Sequence, residues 1–104
     1  MATIIVMFNL KLGVSKSAYE SWAKETDMKT VRDLTSIDRF DVFESMGLLG
    51  SDVKPPYEYV ELLEVNDMDV FGEETGTDTM GAVAKQFQGF ADNPTFILMK
   101  NIEN

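Results

Sequence analysis

The sequence predicts a single α+β domain, residues 1–104, with the element order β-α-β-β-α-β. Three observations support this prediction. Apolar, β-branched stretches lie near both ends of the chain, two segments with helical spacing of apolar residues lie between them, and a loop with two glycines and two prolines divides the middle. A chain of 104 residues has room for one hydrophobic core and can bury it without disulfides.

The first half predicts a strand, a helix and a second strand. Residues 3–10 are β-branched and apolar, as in a buried central strand. Ser15 or Ser17 offers an N-cap for a helix, which we expect to fade near Thr26 and to be followed by an irregular turn. Residues 36–46 mix apolar and charged side chains, which indicates a less buried strand.

The second half predicts a hairpin partner, a helix and a last strand. Residues 46–56 form the loop, and residues 57–65 alternate well enough to predict the strand that pairs with the previous one. An acidic stretch at 66–81 leads into the second helix, and Pro94 ends it before a strand at 95–102. This is the ferredoxin-like order, with a four-stranded antiparallel sheet and two helices on one face, because both crossovers are right-handed.

Apolar residues occupy both parities of the terminal strands. In the first strand Val6 alternates with Ile5 and Met7, and in the last strand Phe96 alternates with Ile97. Helices on one face would leave the other apolar face uncovered, and such a face is an interaction surface or an aggregation risk. We therefore expect a homodimer in which two sheets pack against each other.

Composition excludes several classes of function. The chain has neither cysteine nor histidine, which removes thiolate and histidine metal sites, cysteine nucleophiles and histidine-based triads. We predict no metal and no cofactor. Eighteen acidic residues against nine basic ones give a net charge of −9, so nucleic acid and anionic membranes are poor partners. No secretory signal or apolar stretch of about 20 residues is present, which predicts a cytoplasmic protein.

Four residues are candidates for ligand binding. Tyr19 and Trp22 on the first helix could line a pocket for a flat, hydrophobic or aromatic ligand, or could be ordinary core. Asn9 interrupts an apolar strand, so its amide forms either a structural link or a ligand contact. Arg39 could bind a ligand carboxylate or carbonyl, or could pair with a neighbouring acid such as Asp41 or Glu61.

Acid–base catalysis would depend on carboxylates, tyrosines or lysines, since histidine is absent. Four glutamates lie on predicted strands, and alternation predicts that most of them face solvent: Glu44, Glu58, Glu61 and Glu64. No pair of catalytic carboxylates stands out in the sequence.

Four stretches of the chain resemble the REDY-like HapK family, which is associated with prodiginine-type pyrrole pigment biosynthesis. They are IIVMFNL at 4–10, GVS at 13–15 leading into YESWA at 19–23, SIDRFDV at 36–42 and NPTF at 93–96. The resemblance implies the dimeric α/β-barrel superfamily, a homodimer whose sheets form a barrel, and a cleft between sheet and helices. It also implies Asn9, Tyr19, Trp22 and Arg39 as the residues of that cleft.

The resemblance implies a function as well. The leading hypothesis is a cofactor-free protein that binds a planar, hydrophobic pyrrole-like intermediate and assists its condensation or cyclisation. The superfamily also contains cofactor-independent monooxygenases and isomerases, which are the alternative. A third possibility is a non-catalytic structural partner in an enzyme complex. Because some relatives depend on histidine, its absence here favours a binding role.

Overall fold

A computed structural model describes residues 1–103. The elements in chain order are β1 (Ala2–Leu10), α1 (Lys16–Trp22), a π-helical segment (Ala23–Asp27), α2 (Met28–Arg32), β2 (Ile37–Glu44), β3 (Tyr59–Val65), α3 (Met68–Thr75), α4 (Asp78–Phe90) and β4 (Ala91–Met99). The strands form one antiparallel sheet in the order β2-β3-β1-β4. The predicted ferredoxin-like α+β fold is confirmed. Within residues 1–103, no helix has the length and apolar character that crossing a membrane requires.

The first helical region is longer than the sequence predicted. It begins after Ser15, whose hydroxyl accepts a hydrogen bond from the backbone N–H of Ala18 at 3.1 Å. The expected end near Thr26 is wrong, because the chain passes through the π-helical segment and continues as α2 to Arg32. The backbone N–H of Met28 bonds to a carbonyl five residues earlier, as in a π-helix.

The π-helical segment keeps one stripe of side chains against the sheet. The buried residues of this region are spaced four apart: Tyr19, Ala23, Asp27 and Val31. In a regular α-helix each step of four residues drifts by about 40° around the axis, so such a stripe would rotate off the core. The wider π-helical turn rotates less per residue and offsets this drift.

Two elements of the second half also differ from the prediction. The acidic stretch contains α3, whose N-cap Asp67 accepts from the backbone N–H groups of Asp69 and Val70. β4 begins at Ala91 and ends at Met99, so Pro94 lies inside a strand. Proline is tolerated there because β4 is an edge strand and its pairing with β1 is irregular at this point.

The core lies between the sheet and the helices. Phe8 at its centre packs edge-on against Tyr19 and Phe87, with ring centroids 5.5 and 5.0 Å apart. Tyr59 stacks on Phe8 at 5.7 Å. These contacts join β1, β3, α1 and α4 in one aromatic cluster, which fixes both helical layers on the same face of the sheet.

The opposite side of the sheet, here called the helix-free face, is also apolar. The pairing register places on it seven apolar residues, all half-buried or exposed: Ile5, Met7, Phe43, Val60, Leu62, Ile97 and Met99. The two parities predicted from the sequence therefore correspond to a covered and an uncovered face. The homodimer that would cover the second face stays a prediction.

Candidate ligand-binding cleft

A cleft of about 190 Å³ opens between the helix-covered face of the sheet and α4. Its lining comes from the π-helical segment, α2, β2, β3, α4 and β4: Asp27, Val31, Phe40, Glu61, Leu63, Met80, Val83, Ala84, Phe87, Gln88, Pro94 and Phe96. Most of this wall is apolar. Phe96 on the edge strand is 63% exposed although it lines the cavity, so the mouth of the cleft lies beside β4.

Glu61 lies on β3 and forms part of the floor of the cleft. The register places it beside Val6 on one neighbouring strand and Val42 on the other, so it points toward the helices. Glu61 is only 6% exposed. The one hydrogen bond that the described residues give its carboxylate comes from the Tyr19 hydroxyl, at 3.4 Å.

Asp27 approaches from the helical side. It is the last residue of the π-helical segment, belongs to the stripe of buried residues and is 4% exposed. Among residues 1–103 no hydrogen bond or ion pair joins its side chain to another group, and it lines the cavity. Burying a carboxyl group without a partner costs free energy, and a ligand that supplies a partner would offset this cost.

The two carboxyl groups hold their protons to unusually high pH. Burial raises the pKa of Asp27 to about 7. Burial also raises the pKa of Glu61, to about 8, and the negative charge of Asp27 adds to the effect, whereas the hydrogen bond from Tyr19 opposes it. Burial and the charge of Glu61 raise the pKa of Tyr19, so the phenol stays a proton donor.

This arrangement can move protons near neutral pH. A pair of interacting carboxyl groups whose pKa values lie near 7 provides a neutral acid and an ionised base at the same time. The apolar wall limits competing water. Perturbed carboxyl groups in a cleft are typical of functional sites.

Two of the four residues predicted from the sequence lie close to the cleft. Tyr19 is buried behind Glu61 and bonds to it. Trp22 is half-buried and lies on the outer side of Tyr19. Its indole N–H donates to Gln86 Oε1 at 2.7 Å, and its ring centroid lies 6.4 Å from that of Phe87 in the cleft wall.

The other two predicted residues lie elsewhere. The Asn9 side chain donates to the backbone carbonyl of Pro56 at 3.0 Å and accepts from the N–H of Glu58 at 2.9 Å, so it anchors the entrance to β3. Arg39 lies on the helix-free face, where it pairs with Asp41 and lies 3.9 Å from Glu64. These contacts match the structural alternatives, and ligand binding by either residue stays a prediction.

The two carboxyl groups of the cleft were not among the site residues predicted from the sequence. Glu61 was expected to face solvent or to pair with Arg39, and both expectations are wrong: it is buried, and Arg39 contacts Glu64 instead. The residues next to Glu61 are apolar on both parities, so alternation could not orient it. Asp27 lies four residues after Ala23 and eight after Tyr19, and this helical spacing was a signal. It was not used because the helix was expected to end near residue 26.

The fold and cleft define a ferredoxin-like α+β protein with a buried acidic pair in an apolar pocket. Residues 2–102 match the family described as REDY-like protein HapK. The chain therefore belongs to the REDY-like HapK family, and the predicted resemblance is confirmed. No curated protein sequence matches the chain.

Several solved structures are similar. HapK from Hahella chejuensis shares 28% identity with a TM-score of 0.80, covering 100% of this chain and 95% of that one. SnoaB from Streptomyces nogalater, described as a cofactor-independent oxygenase, shares 14% identity with a TM-score of 0.75, covering 99% and 94%. A protein from Thermobifida fusca, described as a dimeric ferredoxin-like protein of unknown function, shares 11% with a TM-score of 0.76, covering 94% and 88%. The last two likenesses show the fold alone.

Proposed function

We propose that this protein binds a planar, hydrophobic intermediate of secondary metabolism, of the pyrrole pigment type, and promotes its condensation or cyclisation without a cofactor. The observation that carries this proposal is the pair of buried carboxyl groups, Asp27 and Glu61, facing an apolar cleft. Membership of the REDY-like HapK family supports the pathway.

The pair would act as acid and base in one reaction. The carboxyl group that holds its proton donates it to the carbonyl oxygen of the intermediate as a pyrrole carbon of the second reactant bonds to the carbonyl carbon, and the ionised partner takes the proton that this pyrrole carbon loses. In a second step the newly protonated carboxyl group donates its proton to the resulting hydroxyl group, which leaves as water. The other carboxylate takes a pyrrole N–H proton from the cation that remains, and the pair regains its original protonation. Such general acid–base catalysis contributes roughly 10²–10⁴-fold to a rate.

A second copy of the chain would complete the assembly. The helix-free face presents seven apolar side chains that no part of residues 1–103 covers. Two such faces packed together bury the same patch on each copy. In this homodimer the two clefts lie on the outer, helix-covered sides of the paired sheets.

Binding and turnover can be measured separately. We expect bipyrrole aldehydes to change the fluorescence of Trp22 in a saturable way, since its ring lies against Phe87 of the cleft wall. With a pyrrole nucleophile added, absorbance of the condensed product reports turnover. Glu61→Gln should lower the rate at least tenfold while retaining binding.

Glu64→Gln is the matched control, because Glu64 lies three positions later on the same strand but faces the opposite side. An equal rate in Glu61→Gln and the wild type would refute acid–base catalysis by the pair. Saturable binding without turnover would leave the non-catalytic role.

The same pair favours a second candidate, an isomerase. Two carboxyl groups in one pocket can remove a proton from one carbon and return it to another, with no loss of water. Deuterium incorporation from heavy water into a recovered, unchanged or isomeric ligand would identify this reaction, whereas release of water with formation of a larger product identifies condensation.

A further inference from the structure

The cleft contains acidic groups without cationic ones. Within residues 1–103, the polar side chains that line it are Asp27, Glu61 and Gln88, and no lysine or arginine lines it. The titratable group that touches this pair is Tyr19, while the lining residues of α4 and β4 carry none. The pair is therefore buried without a compensating positive charge.

Asp27 supplies an independent observation. Its side chain is almost fully buried, faces the cavity and has no hydrogen-bond or ion-pair partner among residues 1–103. Buried carboxylates are normally paired with a donor or a cation. A donor or a positive charge on a bound ligand would supply that partner.

Aromatic rings provide the rest of the environment. Phe40, Phe87 and Phe96 all line the cavity. The faces of such rings attract cations, and the attraction grows when water is excluded. An anion would meet two carboxyl groups and no lysine or arginine side chain, which is unfavourable in a pocket of low polarity.

We propose that the cleft selects a planar aromatic cation, such as a protonated nitrogen heterocycle or an iminium ion, over neutral and anionic molecules of the same shape. This inference rests on the proposed function and narrows its substrate to one that is positively charged when it is bound or when it reacts. A reaction that builds up positive charge on the ligand would be assisted by the ionised form of this pair.

Binding of a cation should release a proton from the carboxyl groups of the cleft. The raised pKa values mean that, before a ligand binds, the carboxyl groups of the cleft hold protons near neutral pH. A cation favours the ionised form, so a carboxyl O–H gives its proton to solvent while the positive charge of the ligand replaces it. A neutral ligand of the same shape releases none.

Three bicyclic aromatic probes of similar size test the selection: the cation N-methylquinolinium, its neutral isostere 1-methylnaphthalene and the anion 1-naphthoate. Titrations followed by Trp22 fluorescence should give at least tenfold tighter binding of the cation than of the neutral probe, and no saturable binding of the anion. Calorimetry at about pH 7 in buffers of different ionisation enthalpy should show proton release for the cation alone. Equal affinity for the cation and the neutral probe would overturn the inference.

Substitutions of the two carboxyl groups test whether they cause the preference for the cation. Glu61→Gln and Asp27→Asn should bring the affinity for the cation to that of the neutral probe, whereas Glu64→Gln on the helix-free face should keep the preference. Because the net charge of −9 attracts any cation to the surface, the titrations are repeated in high salt, which screens the surface but not the buried pair. A preference that disappears in salt or survives both cleft substitutions would also overturn the inference.

The wild-type series decides the question even where a variant fails to fold. Absence of turnover with aldehydes, together with a retained preference for the cation, would refute the proposed condensation and leave the charge selection standing. Turnover with aldehydes by a cleft that prefers the neutral probe would support the proposed condensation and refute the charge selection.

Discussion

The two faces of the sheet carry charged residues in opposite ways. On the helix-free face Arg39 lies beside Asp41 and Glu64, half-exposed, and each charge has a partner of opposite sign. On the helix-covered face Glu61 and Asp27 are buried together with like sign. Exposed ion pairs contribute little to stability, whereas a buried acidic pair costs stability and persists for another reason.

This difference suggests that the helix-free face is suited to assembly and the helix-covered face to binding a small molecule. The uncovered face has the composition of an interface, with apolar side chains in its centre and ion pairs at one end. The covered face is closed by the protein's own helices and leaves room only at the cleft. One sheet thus presents a surface suited to a second copy and, on its other side, a pocket suited to a small molecule.

The largest effect is expected from the same substitution on opposite faces. Val6 is 2% exposed in the core and Ile97, on the strand paired with β1, is 37% exposed on the helix-free face. Val6→Lys should unfold the chain, because burying an unpaired ammonium group costs several kcal/mol. Ile97→Lys should keep the fold but yield a monomer.

Circular dichroism and light scattering coupled to size-exclusion chromatography measure the two outcomes. A folded Ile97→Lys protein that remains dimeric would show that the helix-free face is not the interface. Ile97→Val serves as the conservative control and should leave both the fold and the assembly unchanged.

The second-largest effect is expected in the pH dependence of the free energy of unfolding. The folded-state pKa values of Asp27 and Glu61 lie above their ordinary values, so the native state binds more protons than the unfolded state between about pH 4 and about pH 8. The free energy of unfolding should therefore fall by several kcal/mol as pH rises through that window, since about 1.4 kcal/mol is lost for each pH unit over which the native state holds one extra proton. Urea unfolding at several pH values measures it.

The double variant Asp27→Asn, Glu61→Gln should lose most of this slope and should exceed the wild type in stability at about pH 8.5. Glu64→Gln on the opposite face should keep the wild-type slope. A double variant with an unchanged slope would mean that the pair is not perturbed as its burial implies.

The smallest effect is expected at Arg39. Its ion pairs are exposed, so Arg39→Met should change the melting temperature only slightly. This change should be smaller still in high salt, because salt screens the ion pairs of the wild type. We also expect the affinity for bipyrrole aldehydes to stay within about twofold, since Arg39 is on the face opposite the cleft. A large loss of affinity would instead support the ligand contact predicted from the sequence.

Most of the fold could be predicted from the sequence, because apolar periodicity and turn residues carry that information locally. The order of the elements and the four-stranded sheet followed from such patterns. α3 was missed because it is short and acidic, with no buried residue to give it periodicity. The position of β4 was shifted because Pro94 indicates an ending, whereas an edge strand tolerates it.

The site was less predictable than the fold. Tyr19 could be singled out because its neighbours repeat at helical spacing. Glu61 and Asp27 become a pair only when β3 and the π-helical segment meet across the core, a long-range contact that no local pattern records. Arg39 was a candidate because it could bind a ligand carboxylate or carbonyl, and its actual partners depend on the register between β2 and β3.

The π-helical segment has a consequence for how this cleft can vary between related proteins. A π-helical turn amounts to one extra residue in an α-helix, and its removal leaves the flanking helical turns in place. Loss of one residue from 23–27 should therefore keep the helix capped at Ser15 and packed through Val31, yet replace or turn away the carboxyl group of Asp27. The acidic pair could thus be gained or lost through a single insertion or deletion, without a change of fold.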